Sequence, residues 1–95
     1  MIVILYCFVA DFMKRRQPYR AEHLAYVAAE QAAGRIAAGG ALSENLRKGL
    51  ILYRGTVEQA EAFVAADPYV RAGIVTSREI GTWTLVIGDR MEVLT

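Results

Sequence analysis

The chain has 95 residues, of which 55% are hydrophobic and 22% charged, with a formal net charge of +1. That length suits a single domain over 1–95, the apolar fraction argues against disorder, and the near-balanced charge lacks the basic field of a nucleic-acid binder. One cysteine, Cys7, excludes a disulfide framework and any multi-cysteine metal site. Inside an apolar run it reads as a small buried hydrophobe in a reducing, cytoplasmic setting.

The opening "MIVILYCFVA" is too short to cross a bilayer, which takes about 20 apolar residues. Its basic residues follow the apolar run, unlike those of a signal peptide. Residues 2–9 read as a strand apolar on both faces, hence a central strand covered on both sides. Residues 10–17 are polar and basic and read as a loop, with Lys14 and Arg15 solvated in it. Pro18 then suits the first turn of a helix, which runs through "YRAEHLAYVAAEQAA" and stops at Gly34. At about 100° per residue, Arg20, Leu24, Val27 and Gln31 share the face expected to pack on a sheet. Ala21 and Ala28 extend it on one side. Arg16 and His23 lie on the other edge, followed by Tyr19, Tyr26 and Glu30.

"RIAAGGALS" reads as a second strand weakened by Gly39 and Gly40, glycines that mark a bulge or a close backbone approach. "ENLRKG" is a turn and "LILYRG" a third strand. Thr56 and Gln59 have the spacing of a capping box at the start of a second helix, whose buried stripe is Ala60, Phe63 and Val64. Pro68 ends that helix, and Tyr69–Gly73 is a short link. "IVTSREIGTWTLVIG" reads as a long fourth strand bulged at Gly81, with Trp83 in the core or a dimer contact. Gly88 and Asp89 can turn the chain into a short last strand, "RMEVL".

The order β-α-β-β-α-β is the ferredoxin-like plan of the α+β class, an antiparallel sheet with two helices on one face. The first strand's second apolar face then lacks a cover, so a homodimer pairing sheet faces is expected.

Chemistry gathers at two places. His23 is the chain's one histidine, and Arg16 and Arg20 lie on its side of the first helix, where they can hold an anion beside the imidazole. Both helices cover the same sheet face, so the end of the second can bring Asp67 to the first. A histidine oriented by a carboxylate is a usable general base near neutral pH. Each residue also has a plainer role: His23 as a packing residue, Asp67 as a helix-ending turn bonding nearby N–H groups, Tyr69 as a wall residue. One histidine and one cysteine offer no metal ligand set. No strand interleaves aromatic and basic residues as single-strand binders do.

The pattern "RAEHL" (Arg20, His23, Leu24), then "GRIAAGG", then "DPYVRAG", in that order and spacing, resembles the YCII-related (YciI-like) protein family from residue 1 to about residue 87. The resemblance implies a ferredoxin-like subunit in a dimeric α/β barrel, with a cleft whose acid-base pair falls on His23 and Asp67 and whose arginine falls on Arg20. One kind of member is a dehydrochlorinase of chloroaromatic breakdown, and the fold resembles muconolactone isomerase. Both chemistries remove a proton from carbon without a metal or other cofactor. The expectation is a lyase or isomerase acting on a small anionic substrate, with His23 and Asp67 catalytic and Arg20, Arg16 and Tyr69 binding. The alternative is a non-catalytic ligand-binding or accessory dimer with the same cleft. The short "ENLRKG" turn departs from larger members, and loops commonly set specificity.

Overall fold

The structure is a computed structural model that describes residues 1–89; the expected last strand, "RMEVL", lies outside the described residues. Four strands, β1 (Ile2–Phe8), β2 (Ile36–Ala41), β3 (Lys48–Tyr53) and β4 (Val75–Thr82), form one antiparallel sheet in the order β2-β3-β1-β4. Two long helices, α2 (Arg20–Ala32) and α3 (Val57–Ala66), complete the β-α-β-β-α-β order, and two short ones, α1 (Phe12–Arg15) and α4 (Pro68–Arg71), flank them.

β1 is central, as its composition predicts, and alternation decides which of its apolar residues are covered. Ile2, Ile4, Tyr6 and Phe8 point to the helices and are buried, together with Ile51 and Tyr53 of β3 and Ala60, Phe63 and Val64 of α3. Each fully buried aliphatic side chain contributes roughly 1.5–3 kcal/mol. The Thr56–Gln59 capping box fixes where α3 begins. On the opposite sheet face Leu5 and Leu50 are exposed, and Cys7, expected to be buried, is only half-buried there because position 7 alternates away from the helices. Leu5, Leu50 and Trp83 border a shallow apolar groove on this open face.

Several local expectations are corrected. The 10–17 loop contains α1, because Phe12 turns inward, is buried, and stacks on Phe8 at 4.1 Å between ring centroids. The 69–73 link is helical: Asp67 caps α4, with Pro68 at its first position. Asp-Pro therefore ends one helix and starts the next, a function the sequence pattern Ncap-Pro also supports. β4 ends at Thr82, and Gly81 pairs in register with Val3. The irregularity lies at the other end, where Cys7 pairs with Ser77 but Phe8 with Val75, skipping Thr76.

The face of α2 is also rotated from expectation. The half-buried residues are His23, Tyr26, Val27 and Glu30, and Leu24 is exposed. The cause lies beneath the helix. At the β2–β3 corner the helix-facing positions are Gly39, Ala41 and Gly49, so the sheet has little side-chain bulk to meet Arg20, Leu24 and Gln31. Paired positions Tyr6↔Gly49, Ala41↔Gly49 and Gly39↔Ile51 place all three on the helix-facing side with Tyr6 and Ile51. The result is an open cleft of about 610 Å³ between α2 and the sheet. Among the described residues, no helix is long and apolar enough to cross a membrane.

Candidate functional site

The cleft is walled by Arg20, His23 and Leu24 of α2, by Tyr6 and Phe8 of β1, and by Phe12, Arg16 and Tyr69. Behind this wall, and not lining the cleft itself, Asp67 is completely buried. A carboxylate survives in such a place only when hydrogen bonds replace its water. Three donors do so. His23 Nδ1 lies 2.8 Å from Asp67 Oδ1, the Tyr69 backbone N–H donates to the same oxygen at 2.9 Å, and the Tyr6 hydroxyl donates to Oδ2 at 2.9 Å. The second of these bonds is the α4 cap. One side chain thus both starts a helix and anchors the histidine.

Because the carboxylate accepts, His23 Nδ1 is the donor, and in the neutral ring Nε2 carries the lone pair. Nε2 has no protein partner among the described residues, on a ring that lines the cleft. The imidazole is clamped from one side by Tyr69, whose ring stacks on it at 3.7 Å between centroids and 5° between planes. Phe12 meets Tyr69 edge-on at 5.8 Å, and the Arg16 guanidinium sits over Phe12 at 5.0 Å. The Tyr69 hydroxyl is buried with no hydrogen-bond partner among the described residues. Burial, then the charge of Asp67 and the hydrogen bond to it, push the Tyr6 phenol far above its ordinary pKa, so it stays a proton donor to the carboxylate. Burial and the charges of Asp67 and Glu30 likewise raise Tyr26, whose hydroxyl donates to the Phe63 carbonyl at 2.7 Å.

His23, Asp67, Tyr69, Arg16 and Arg20 are therefore gathered within one subunit. His23 and Asp67 touch, Tyr69 touches both, and Arg16 and Arg20 stand on the cleft wall. Neither guanidinium is in an ion pair among the described residues. Among those residues, no three His, Cys, Asp or Glu side chains come close enough to hold a metal ion.

Sequence reasoning missed Tyr6 and Phe12. Tyr6 sits in a strand that is apolar on both sides, which hides the face holding its hydroxyl; the alternation with Ile2, Ile4 and Phe8 was the available signal. Phe12 was masked by the charges around it.

The chain belongs to the YCII-related domain family, which matches residues 1–84. Among solved structures it is similar to 5-chloro-2-hydroxyhydroquinone dehydrochlorinase (TftG) from Burkholderia phenoliruptrix AC1100, in complex with 2,5-dihydroxybenzoquinone. That likeness has a TM-score of 0.73 at 20% identity and covers 88% of this chain and 94% of that one. At such identity it shows the shared fold. No curated protein matches the chain significantly.

Proposed function

We propose that this YCII-related protein is a lyase or isomerase that moves a proton on a small anionic, cyclic substrate with no metal or organic cofactor. The observation that carries the reading is the His23 Nδ1–Asp67 Oδ1 contact of 2.8 Å on the wall of a cleft of about 610 Å³. His23 Nε2 is the base that takes the proton and the acid that returns it. Asp67 holds the ring in the Nδ1–H form and stabilises the imidazolium. Its oxygens already accept three hydrogen bonds, so orienting His23, rather than taking the substrate proton itself, is its role. Arg20 and Arg16 hold a carboxylate or enolate oxygen, each charge-assisted bond contributing about 1.5–3 kcal/mol. Tyr69 forms the wall against which His23 is stacked.

In an elimination of this kind the base receives the proton and the leaving group departs with its bonding electrons. In an isomerisation the same proton returns to another carbon. The dehydrochlorinase with the same fold makes the first reaction the one to try. The working unit is a single domain over 1–95, paired with a second copy through the open sheet face that exposes Leu5, Leu50 and Trp83, and working in the cytoplasm.

The test is chloride release from 5-chloro-2-hydroxyhydroquinone and related halogenated hydroxyquinols. Turnover by the wild-type protein, falling about 10²–10⁴-fold in His23→Ala with the fold intact, is expected. Turnover unchanged in His23→Ala overturns the assignment. The competing reading, a ligand-binding dimer without catalysis, draws on the same saturation of Asp67, since Tyr6 and the Tyr69 N–H would also brace a purely structural histidine. It predicts ligand binding in the cleft with no turnover of any substrate tried.

A further inference from the structure

Two glycines of the β2–β3 corner share the helix-facing side and have different reasons to be there. At Gly49 a Cβ would stand 2.8 Å from Cζ of Phe8, so the close approach of that ring to the strand requires glycine. At Gly39 a Cβ would meet Ile51 Cγ1 at 3.6 Å and the Leu50 carbonyl at 3.7 Å, which is ordinary contact. The Gly39 backbone is not in the left-handed region, and a β-branched residue suits a strand better than glycine does. Neither sterics nor backbone geometry demands a missing side chain at 39. What it leaves is space. Its Cβ direction is that of its partner Ile51, toward the cleft, and both residues line it.

The bare corner faces the apolar side chains Leu24 and Val27 of α2, with Ile51 beside it and Arg16 and Arg20 on the same cleft wall. Peptide planes on one side and aliphatic side chains on the other make a slot for something flat and apolar. The guanidiniums supply a place for its charge.

We propose that the corner formed by Gly39, Ala41 and Gly49 seats a flat six-membered ring whose acidic substituent lies at Arg16 and Arg20, and that Gly39 sets the size limit of the slot. The inference rests on reading the cleft as a small-anion site and adds which part of it receives the ring. A valine at 39 keeps the strand and projects its methyl groups into the slot, while the arginines remain free.

The experiment is an NMR shift titration of the wild-type protein, Gly39→Val and Gly39→Ala with benzoate and, separately, acetate, which has the same carboxylate and no ring. Benzoate is expected to bind the wild type more tightly than acetate does. Gly39→Val should weaken benzoate at least tenfold and acetate less than twofold. Gly39→Ala, whose single added carbon meets only ordinary contacts, should weaken benzoate about threefold and serves if the valine variant does not fold. Equal benzoate binding by wild type and variants, or equal weakening of both anions, overturns the role of Gly39 while leaving the anion site standing. Absence of benzoate shifts at the cleft in the wild type overturns both.

Discussion

The two ends of α2 carry polar clusters built from the same parts, a carboxylate, a tyrosine hydroxyl and a basic side chain, and they differ in what is left over. Near its C-terminal end Glu30 accepts two bonds from Arg35, at 2.9 Å each, and one from the Tyr53 hydroxyl at 2.8 Å. Arg35 is bidentate, its side chain is 40% exposed, and the cluster bridges helix and sheet with none of Glu30, Arg35 and Tyr53 lining the cleft. Near the N-terminal end Asp67 accepts from His23, Tyr6 and Tyr69 in complete burial. There the basic partner keeps one ring nitrogen uncommitted, a cavity opens alongside, and two further cations stand unpaired among the described residues. A hydrogen-bonded carboxylate and tyrosine are therefore a brace in both places. The cavity and the uncommitted donors and acceptors make only one of them a candidate site.

The comparison is broken most easily by removing each carboxylate. Asp67→Ala leaves the Tyr6 hydroxyl, the Tyr69 N–H and His23 Nδ1 without their acceptor and should cost about 2–5 kcal/mol, at about 1–3 kcal/mol for each buried donor left unsatisfied. Glu30→Ala should cost less, about 1–2 kcal/mol, because Arg35 regains water and only the Tyr53 hydroxyl is left as a buried donor. Urea unfolding of both variants measures this, and equal losses would contradict the contrast. The hydroxyls come next. Tyr6→Phe leaves Asp67 Oδ2 without its donor and should cost about 1–3 kcal/mol, whereas Tyr53→Phe should cost about 0.5–1.5 kcal/mol, since Glu30 keeps both Arg35 bonds. A larger loss in Tyr53→Phe would reverse the ranking.

The smallest effect is in the pH profile of stability, and it belongs to the brace. The Arg35 hydrogen bonds hold the Glu30 carboxyl below its ordinary range, with burial opposing and Tyr53 assisting. The folded state therefore keeps Glu30 ionised at pH values where the unfolded chain takes up a proton. Its contribution is complete above the unfolded pKa and is lost as the pH falls through the lower folded one. Burial and the hydrogen bond to Glu30 push the Tyr53 phenol up to about 12. Between the ordinary tyrosine value and that one, the folded state retains a proton the unfolded chain has released, so stability declines as the pH rises through this window. Glu30→Gln should flatten the acid limb and Tyr53→Phe should weaken the alkaline one, both readable in denaturation midpoints across pH. An acid limb unchanged in Glu30→Gln would remove the brace from the account.

Much of this was legible in the residues, and the pattern of misses is physical. The capping box at Thr56 and Gln59, the stripe Ala60–Phe63–Val64 and the stop at Gly34 follow local rules that tertiary packing does not override. His23, Asp67, Arg16, Arg20 and Tyr69 could be named as candidates because their residue types are scarce and the topology limits where helices can meet. The face of α2 could not be read, because helix periodicity assumes a partner surface with side chains, and Gly39, Ala41 and Gly49 remove that surface. The helical turns at Phe12 and Pro68 are shorter than the window over which periodicity acts, and what fixes them is long-range: the Phe8 ring for one, the bonds of Asp67 for the other. Tyr6 was hidden by a strand apolar on both faces, one covered by helices and one left bare in the single chain.

The central claim, that His23 is an oriented base in a ligand-accessible cleft, has a direct measurement because the chain contains one histidine. Ring-labelled ¹⁵N histidine gives a single spin system whose two nitrogens report the tautomer, recorded at mildly alkaline pH with and without benzoate. A proton on Nδ1, held by Asp67, and an Nε2 resonance that moves when benzoate is added are expected. A proton on Nε2, or an Nε2 resonance indifferent to benzoate, would contradict the claim.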